Sequence, residues 1–123
     1  MKIKEITQLE NFSGTVIVPV YETNPKNIVP IEFEGIVLSS KVFFGKKNSR
    51  YVVEKGNALY LFIGIGKTID YSNLKTLFRS VSQKEESYFS QNVALHIPDA
   101  FNEDLVEAVV SGLLLGTYNL GHF

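Results

Sequence analysis

Two nearly unbroken apolar runs constrain the fold of this sequence more than any other feature. They are Thr-Val-Ile-Val-Pro-Val-Tyr at residues 15–21 and Leu-Tyr-Leu-Phe-Ile at residues 59–63. A strand with one solvent-exposed face alternates apolar and polar side chains. A run without alternation therefore predicts a strand that is buried on both faces, as in a parallel sheet covered by helices. Shorter runs at Tyr51–Val53 and Val93–Ile97 predict strands of the same kind, and the more polar Lys2–Ile6 predicts an edge strand.

Two later segments have the period of a helix. The first starts at a capping residue, Asp70 or Ser72, and is predicted to run to about Ser90. The second starts after Asn102, a plausible N-cap, and its acidic first turn suits the positive end of the helix dipole. The apolar positions that set the period are Leu74, Leu77, Phe78 and Val81 in the first helix and Val106, Val109, Val110 and Leu113 in the second.

The order of these elements predicts the fold class. Residues 22–30 contain two prolines and predict a loop, and residues 31–44 favour a short helix followed by a turn at Gly45. The later half then alternates strand, helix, strand and helix, which predicts right-handed βαβ crossovers. We therefore expect one α/β domain over residues 1–123, with a mostly parallel sheet flanked by helices.

Composition and charge exclude several classes of function. The chain has no cysteine, so a disulfide framework, a thiolate metal site and a cysteine nucleophile are all excluded. The net charge of −1 argues against electrostatic attraction to nucleic acid or to an anionic membrane. No signal-like apolar segment opens the chain, and its apolar stretches are shorter than the roughly 20 residues of a membrane span. We expect a cytoplasmic location.

A glycine pair after the second long run is the one motif that suggests ligand binding. Gly64-Ile65-Gly66-Lys67-Thr68 follows a predicted strand, as phosphate-binding loops do. The Walker pattern would need a glycine where Leu61 stands, and the dinucleotide pattern would need one where Ile69 stands. We therefore predict that these glycines are structural and make a tight exit from the strand.

The remaining polar candidates favour ordinary structural roles. His96 and His122 lack a second histidine or a carboxylate at helical spacing, so neither is predicted to bind metal or act as a base. Helix faces in water account for the acidic residues Glu85, Glu86, Glu103, Asp104 and Glu107. We predict no catalytic, cofactor-binding or metal-binding residue in this chain.

Three stretches resemble the N-terminal domain of the leucyl (cytosol) aminopeptidase family. Residues 59–67 resemble the family's apolar strand that ends in Gly-x-Gly-Lys, and residues 111–118, Ser-Gly-Leu-Leu-Leu-Gly-Thr-Tyr, resemble its Gly-Leu-x-Leu-Gly-x-Tyr. Residues 44–47, Phe-Gly-Lys-Lys, resemble a turn before a strand. After Tyr118 the sequence departs from the family pattern, near the point where the family's linker begins. The resemblance implies a fragment of a longer, cytoplasmic metallopeptidase.

The resemblance also implies a fold and a division of labour. The family's N-terminal domain is a macro-domain-like, three-layer α/β/α fold without catalytic residues. Its C-terminal catalytic domain holds two divalent metals, zinc or manganese, partly through Asn-Thr-Asp-Ala-Glu-Gly-Arg, a run that residues 1–123 lack. The expected role here is therefore a scaffold that shapes the oligomer, a hexamer in the family, with the catalytic domain and other copies as partners.

Two other functions remain as alternatives. A stand-alone macro-like module would bind a nucleotide or ADP-ribose, and only Gly64 and Gly66 point towards it. A DNA-binding role, which some members of the family acquire through this domain, is opposed by the net charge and by the lack of a basic stripe. The second helix is apolar on more than one face, so we also expect the isolated chain to self-associate through residues 114–123.

Overall fold

The protein is built on a five-stranded, mostly parallel sheet, seen in a computed structural model that describes residues 2–5, 12–23, 30–89 and 92–118. The sheet has the order β1-β7-β2-β6-β5, in which β5 runs antiparallel to β6 and the other pairs are parallel. Its strands are β1 (Lys2–Glu5), β2 (Gly14–Tyr21), β5 (Arg50–Lys55), β6 (Ala58–Gly66) and β7 (Asn92–Leu95). The predicted parallel sheet and the edge position of β1 are confirmed.

The two long apolar runs form the neighbouring strands β2 and β6 in the middle of the sheet. Ile17 lies opposite Leu61 in their parallel ladder, and both side chains are fully buried. Apolar side chains alternate between two core clusters, one on each face of the sheet. This burial on both faces explains why the runs contain almost no polar residues.

The strand predicted at Tyr51–Val53 is present as β5, but the prediction that it is buried on both faces was wrong. β5 is the other edge strand, and Tyr51 and Val52 remain 37% and 38% exposed. An edge strand has a neighbour on one side only, and the layers that cover β2 and β6 do not fully extend over it. Three apolar residues in a row cannot distinguish such an edge from a buried strand.

Both predicted helices are present, with the predicted caps. The helix α1 (Tyr71–Lys84) begins after Asp70, whose Oδ1 accepts a 2.8 Å hydrogen bond from the Asn73 backbone. The helix α2 (Glu103–Tyr118) begins after Asn102, whose Oδ1 accepts a 2.9 Å bond from the Leu105 backbone. α1 ends earlier than predicted, because the Glu85 N–H closes its last turn on Val81 and a 3₁₀ helix, Glu86–Phe89, follows.

The predicted short helix at residues 31–44 is wrong. This segment contains an antiparallel hairpin of β3 (Ile31–Phe33) and β4 (Ile36–Leu38). Its turn residues, Glu34 and Gly35, both have positive φ, at 51° and 80°. Two-residue hairpin turns of this kind match the twist of the flanking strands. Parts of three predicted segments lie outside the described residues: Ile6 of the edge strand, residues 24–29 of the loop and Ser90 of the first helix.

The sheet separates two different covering layers. Both helices pack on one face, where Leu74, Phe78 and Val109 join β2, β6 and β7 in the larger core cluster. On the opposite face the described layer is the β3–β4 hairpin with Phe43, packed on Val18 and Phe62. The α/β class is confirmed, with a hairpin as the described layer of the second face. No helix within the described ranges is long and apolar enough to cross a membrane.

Candidate functional site

The glycine pair lies at the carboxyl end of β6, where a loop of the same chain covers it. The Gly64 N–H donates to the Ser49 carbonyl at 2.8 Å, and the Gly66 N–H donates to the Gly45 carbonyl at 3.0 Å. The Gly64 carbonyl in turn accepts from the Asn48 N–H at 3.0 Å. Residues 45–49 therefore use the backbone groups that a phosphate-binding loop would have to offer to its ligand.

Close packing of this loop explains why glycine is needed at both positions. A Cβ on Gly64 would lie 2.0 Å from the Lys46 carbonyl oxygen and 2.4 Å from Ser49 Oγ. Gly66 has a φ of 83°, and a Cβ there would lie 3.2 Å from Lys47 Cβ. The structure thus supports the prediction that both glycines have a structural role, and it gives no support to a nucleotide or ADP-ribose site at this turn.

A shallow groove lies beside this loop along α1. Its volume is about 340 Å³, and its lining residues are Lys47, Asn48, Asn73, Thr76, Leu77 and Ser80. Its amides already have partners, since Asn48 Oδ1 accepts from Arg50 Nη2 at 3.1 Å and Asn73 Nδ2 donates to Asp70 Oδ2 at 2.8 Å. The groove therefore offers one exposed lysine and hydroxyl groups to a ligand.

His96 follows β7 and is half-buried against the hairpin. Its backbone N–H donates to the Ile17 carbonyl at 2.9 Å, and its ring meets the Phe33 ring edge-on with centroids 4.7 Å apart. Burial lowers the pKa of His96 below its ordinary value, although the carboxylates of Asp99 and Glu34 act in the opposite direction. This environment favours a neutral, packed imidazole. His122 lies outside the described residues.

The acidic candidates are dispersed over the surface. Glu85 forms an ion pair with Arg50, and Glu107 accepts a long 3.4 Å hydrogen bond from the Tyr71 hydroxyl. Glu103 and Asp104 are exposed in the first turn of α2, as expected, and the Glu86 side chain lies outside the described part of the chain. Within the described residues no three His, Asp or Glu side chains are grouped as a metal ion would require.

A second cavity, of about 280 Å³, opens at the amino ends of β2 and β6. Glu54 is the one charged residue among those that line it, which are Gly14, Thr15, Glu54, Gly56, Asn57, Ala58, Leu59, Ser87 and Tyr88. Thr15 Oγ1 donates to the Tyr88 carbonyl at 2.5 Å beside it. This cavity contains no histidine, lysine or arginine that could pair with the carboxylate as an acid or base.

The glycines of residues 111–118 bring the two helices into contact. A Cβ on Gly112 would lie 2.4 Å from the Lys75 carbonyl oxygen, and one on Gly116 would lie 1.7 Å from Ser82 Oγ. The motif therefore permits close approach of α2 to α1. The four-residue spacing of the two glycines on an apolar helix was the signal for this contact, which the sequence analysis did not use.

The same helix exposes leucines on its other side. Leu114 and Leu115 are 47% and 37% exposed, whereas Leu113 is fully buried. The predicted excess of apolar surface on α2 is therefore present at these two positions. Residues 119–123 and the Tyr118 side chain lie outside the described residues, so self-association through residues 114–123 stays a prediction.

Comparisons with known proteins agree with the geometry at the level of the fold. No protein-family model matches the chain, and no curated protein sequence matches it. Among solved structures, a mutant of tomato leucine aminopeptidase matches with a TM-score of 0.66 and 16% sequence identity. The match covers 100% of this chain and 29% of the tomato enzyme. The chain therefore has a fold like that of the leucyl aminopeptidase N-terminal domain, and it spans under a third of that enzyme's length.

Proposed function

We propose that this chain is the non-catalytic N-terminal domain of a cytoplasmic leucyl aminopeptidase, where it acts as a scaffold and shapes the oligomer. The observation that carries the proposal is the structural match across the whole chain to 29% of tomato leucine aminopeptidase. The resemblance of residues 59–67 and 111–118 to the family's motifs adds to it.

In the proposed protein, chemistry and scaffold belong to different domains. The catalytic domain would hold two divalent metals, zinc or manganese, which activate the water that attacks the peptide bond. The residues of this chain would contribute no ligand to those metals. Their contribution would be the rigid sheet and helices against which the catalytic domain and neighbouring copies pack.

The second helix is the proposed contact with the catalytic domain. Gly112 and Gly116 hold one side of α2 against α1, and Leu115 is exposed near the carboxyl end of the helix. In the family the catalytic domain follows this helix in sequence. We therefore place the interdomain contact on the exposed strip of α2 around Leu114 and Leu115.

The first test is the reading frame that contains this chain. An in-frame catalytic domain with an Asn-Thr-Asp-Ala-Glu-Gly-Arg-like run after Phe123 is the expected result, and a stop codon directly after Phe123 would contradict the proposal. In the complete enzyme, Leu115→Asp should loosen the contact between the two domains, measured as faster limited proteolysis between them. Glu107→Ala, an exposed change on the same helix, is the matched control and should leave it unaltered.

A further inference from the structure

The outer edge of β5 carries an ordered row of backbone hydrogen-bonding groups. Within the described residues β5 pairs with β6 alone. The Ser49 carbonyl accepts from Gly64 N–H, so alternate residues after it, Tyr51 and Val53, direct their backbone groups towards β6. The N–H and C=O groups of Arg50, Val52 and Glu54 therefore point to the outer edge, where another strand can pair with them.

The side chains of these three residues share the face on which the helices pack. Arg50 and Val52 lie opposite Ile63 and Leu61, which belong to the core cluster beneath the helices. Side chains opposite each other in a ladder point to the same side of the sheet. Along the outer edge this face therefore carries Arg50, which is 15% exposed and bound to Glu85, followed by the exposed side chains of Val52 and Glu54.

We propose that β5 pairs with β5 of a second copy of this chain, antiparallel and with Val52 opposite Val52. In this register Arg50 of one copy lies opposite Glu54 of the other, and Tyr51 lies opposite Val53. Aromatic–β-branched pairs are favourable cross-strand combinations, and Glu54 of one copy lies opposite the arginine of the Arg50–Glu85 ion pair in the other. The exposed surfaces of Tyr51 and Val52 are covered by the same contact.

Neighbouring registers lose this complementarity. A shift that centres the pair on Val53 places Val52 opposite Glu54 and Tyr51 opposite Lys55, and Arg50 then meets Gly56, which has a φ of 62° in the turn. Pairing an even-numbered residue of one copy with an odd-numbered residue of the other would place opposite side chains on different faces of the joined sheet. An antiparallel ladder does not allow this. A shift centred on Tyr51 places Arg50 opposite Val52 and Glu54 opposite Asn48. The arrangement centred on Val52 is thus the one that the sequence of β5 favours.

This edge pairing is independent of the aminopeptidase proposal, because it uses only the residues of β5. It also differs from self-association through residues 114–123, since its contacts are made by β5. The experiment below distinguishes these interfaces by position. Failure of the edge pairing would leave the aminopeptidase proposal intact.

Disulfide trapping tests the register directly, because the chain has no cysteine of its own. Residues that exchange both backbone hydrogen bonds have Cα atoms about 5.5 Å apart, within the range that a disulfide spans. Val52→Cys should therefore give a covalent dimer on mild oxidation. Glu54→Cys is the matched control on the same strand and face, and its two copies would stand four residues apart along the joined strands, about 13 Å.

We expect at least tenfold faster dimer formation by Val52→Cys than by Glu54→Cys. Equal rates at the two positions, or rapid trapping by Leu115→Cys with none by Val52→Cys, would overturn the proposal. The second outcome would instead support association through α2.

Two further variants test the pairing without a disulfide. Val52→Pro removes an N–H that points outwards, so it should weaken dimerisation in light scattering while the β5–β6 ladder remains. Glu54→Arg places like charges opposite each other and should weaken the dimer without touching the backbone. A folded Val52→Pro or Glu54→Arg variant that dimerises as strongly as the parent, or a parent that is monomeric at high concentration, would refute the edge pairing.

Discussion

Arg50 Nη1 lies 2.9 Å from Glu85 Oε1, and this ion pair joins the edge strand β5 to the carboxyl end of α1. Both side chains are mostly shielded from water, with 15% and 28% of their surfaces exposed. Arg50 Nη2 also donates to Asn48 Oδ1, so one guanidinium connects the loop at residues 45–49, the strand and the helix. Arg50 thus stabilises the edge of the sheet from the helix side.

Removal of Glu85 should loosen this edge. Glu85→Ala leaves the shielded guanidinium without its carboxylate, and we expect a loss of about 1–3 kcal/mol in the free energy of unfolding, measured in urea. Lys67→Ala removes the 3.8 Å pair with Glu22, in which Lys67 is 72% exposed, and is the matched control. Exposed pairs contribute little, so the control should change by less than about 1 kcal/mol. Equal losses would contradict this account.

Gly64→Ala should be the most damaging glycine substitution at the end of β6. Its Cβ would overlap the Lys46 carbonyl at 2.0 Å, and backbone cannot move aside as cheaply as a side chain. We expect a loss of about 3 kcal/mol in the free energy of unfolding. Gly66→Ala introduces a side chain at a φ of 83° and should cost about 1–2 kcal/mol.

Gly56→Ala is the control that separates backbone strain from the steric overlap of the added methyl group. Gly56 has a φ of 62°, but a Cβ there would have nothing within 4 Å. Its loss should match the backbone strain alone, about 1 kcal/mol. A Gly64→Ala variant as stable as Gly56→Ala would show that the loop at residues 45–49 does not pack as described.

Gly116→Ala should separate α2 from α1. The new methyl group would lie 1.7 Å from Ser82 Oγ and 2.5 Å from the Arg79 carbonyl, although alanine favours a helix more than glycine does. We expect the steric overlap to outweigh the gain in helix propensity, so the free energy of unfolding should fall by about 2 kcal/mol. Leu114→Ala, on the exposed side of the same helix, should cost less than about 1 kcal/mol. Stabilisation by Gly116→Ala would contradict the close helix contact.

His96 should make stability fall in mild acid. Burial lowers its pKa in the folded state below the value of about 6.5 in the unfolded chain, so the unfolded chain binds the proton more readily. This contribution is fully present above the unfolded pKa, declines as the pH falls through it and levels off below the folded pKa. Urea denaturation between pH 7.5 and 5 should show this slope in the parent and a smaller one in His96→Gln. A pH slope that is the same in His96→Gln as in the parent would show that other groups cause the effect.

The chain alone should lack aminopeptidase activity and should not bind ADP-ribose. No metal-binding group is present among the described residues, and the loop at residues 45–49 covers the glycine pair. We expect no hydrolysis of a leucyl chromogenic substrate with added zinc or manganese, and no rise in melting temperature with millimolar ADP-ribose. Hydrolysis that survives repurification, or a clear thermal shift, would contradict the proposed division of labour.

The central part of the fold was predictable from local patterns. Burial on both faces requires unbroken apolar runs in β2 and β6, and these runs are visible in the sequence. The capping side chains of Asp70 and Asn102 likewise indicated where the helices start. The hairpin at residues 31–38 was missed because three-residue strands are too short to establish a period of two. The exposure of β5 was missed because position within a sheet depends on distant strands.

The candidate site was predictable only in part, for a similar reason. The spacing of Gly64 and Gly66 departs from two nucleotide motifs, but the groups that fill the space above these glycines come from residues 45–49. The ion pair between Arg50 and Glu85 likewise joins residues that are 35 positions apart. Neither contact can be inferred from the residues that are close to it in sequence.

The strand order has a consequence for how the chain folds during synthesis. Among the described strands β1 comes first in the sequence and pairs with β7, which comes last, and Ile3 lies opposite Val93. β5 and β6, by contrast, join through a short turn as soon as both have emerged from the ribosome. Contacts between distant residues form late because closing the long intervening segment costs entropy. In amide exchange, the N–H groups that β1 places in its ladder with β7 should therefore gain protection after those of the β5–β6 hairpin.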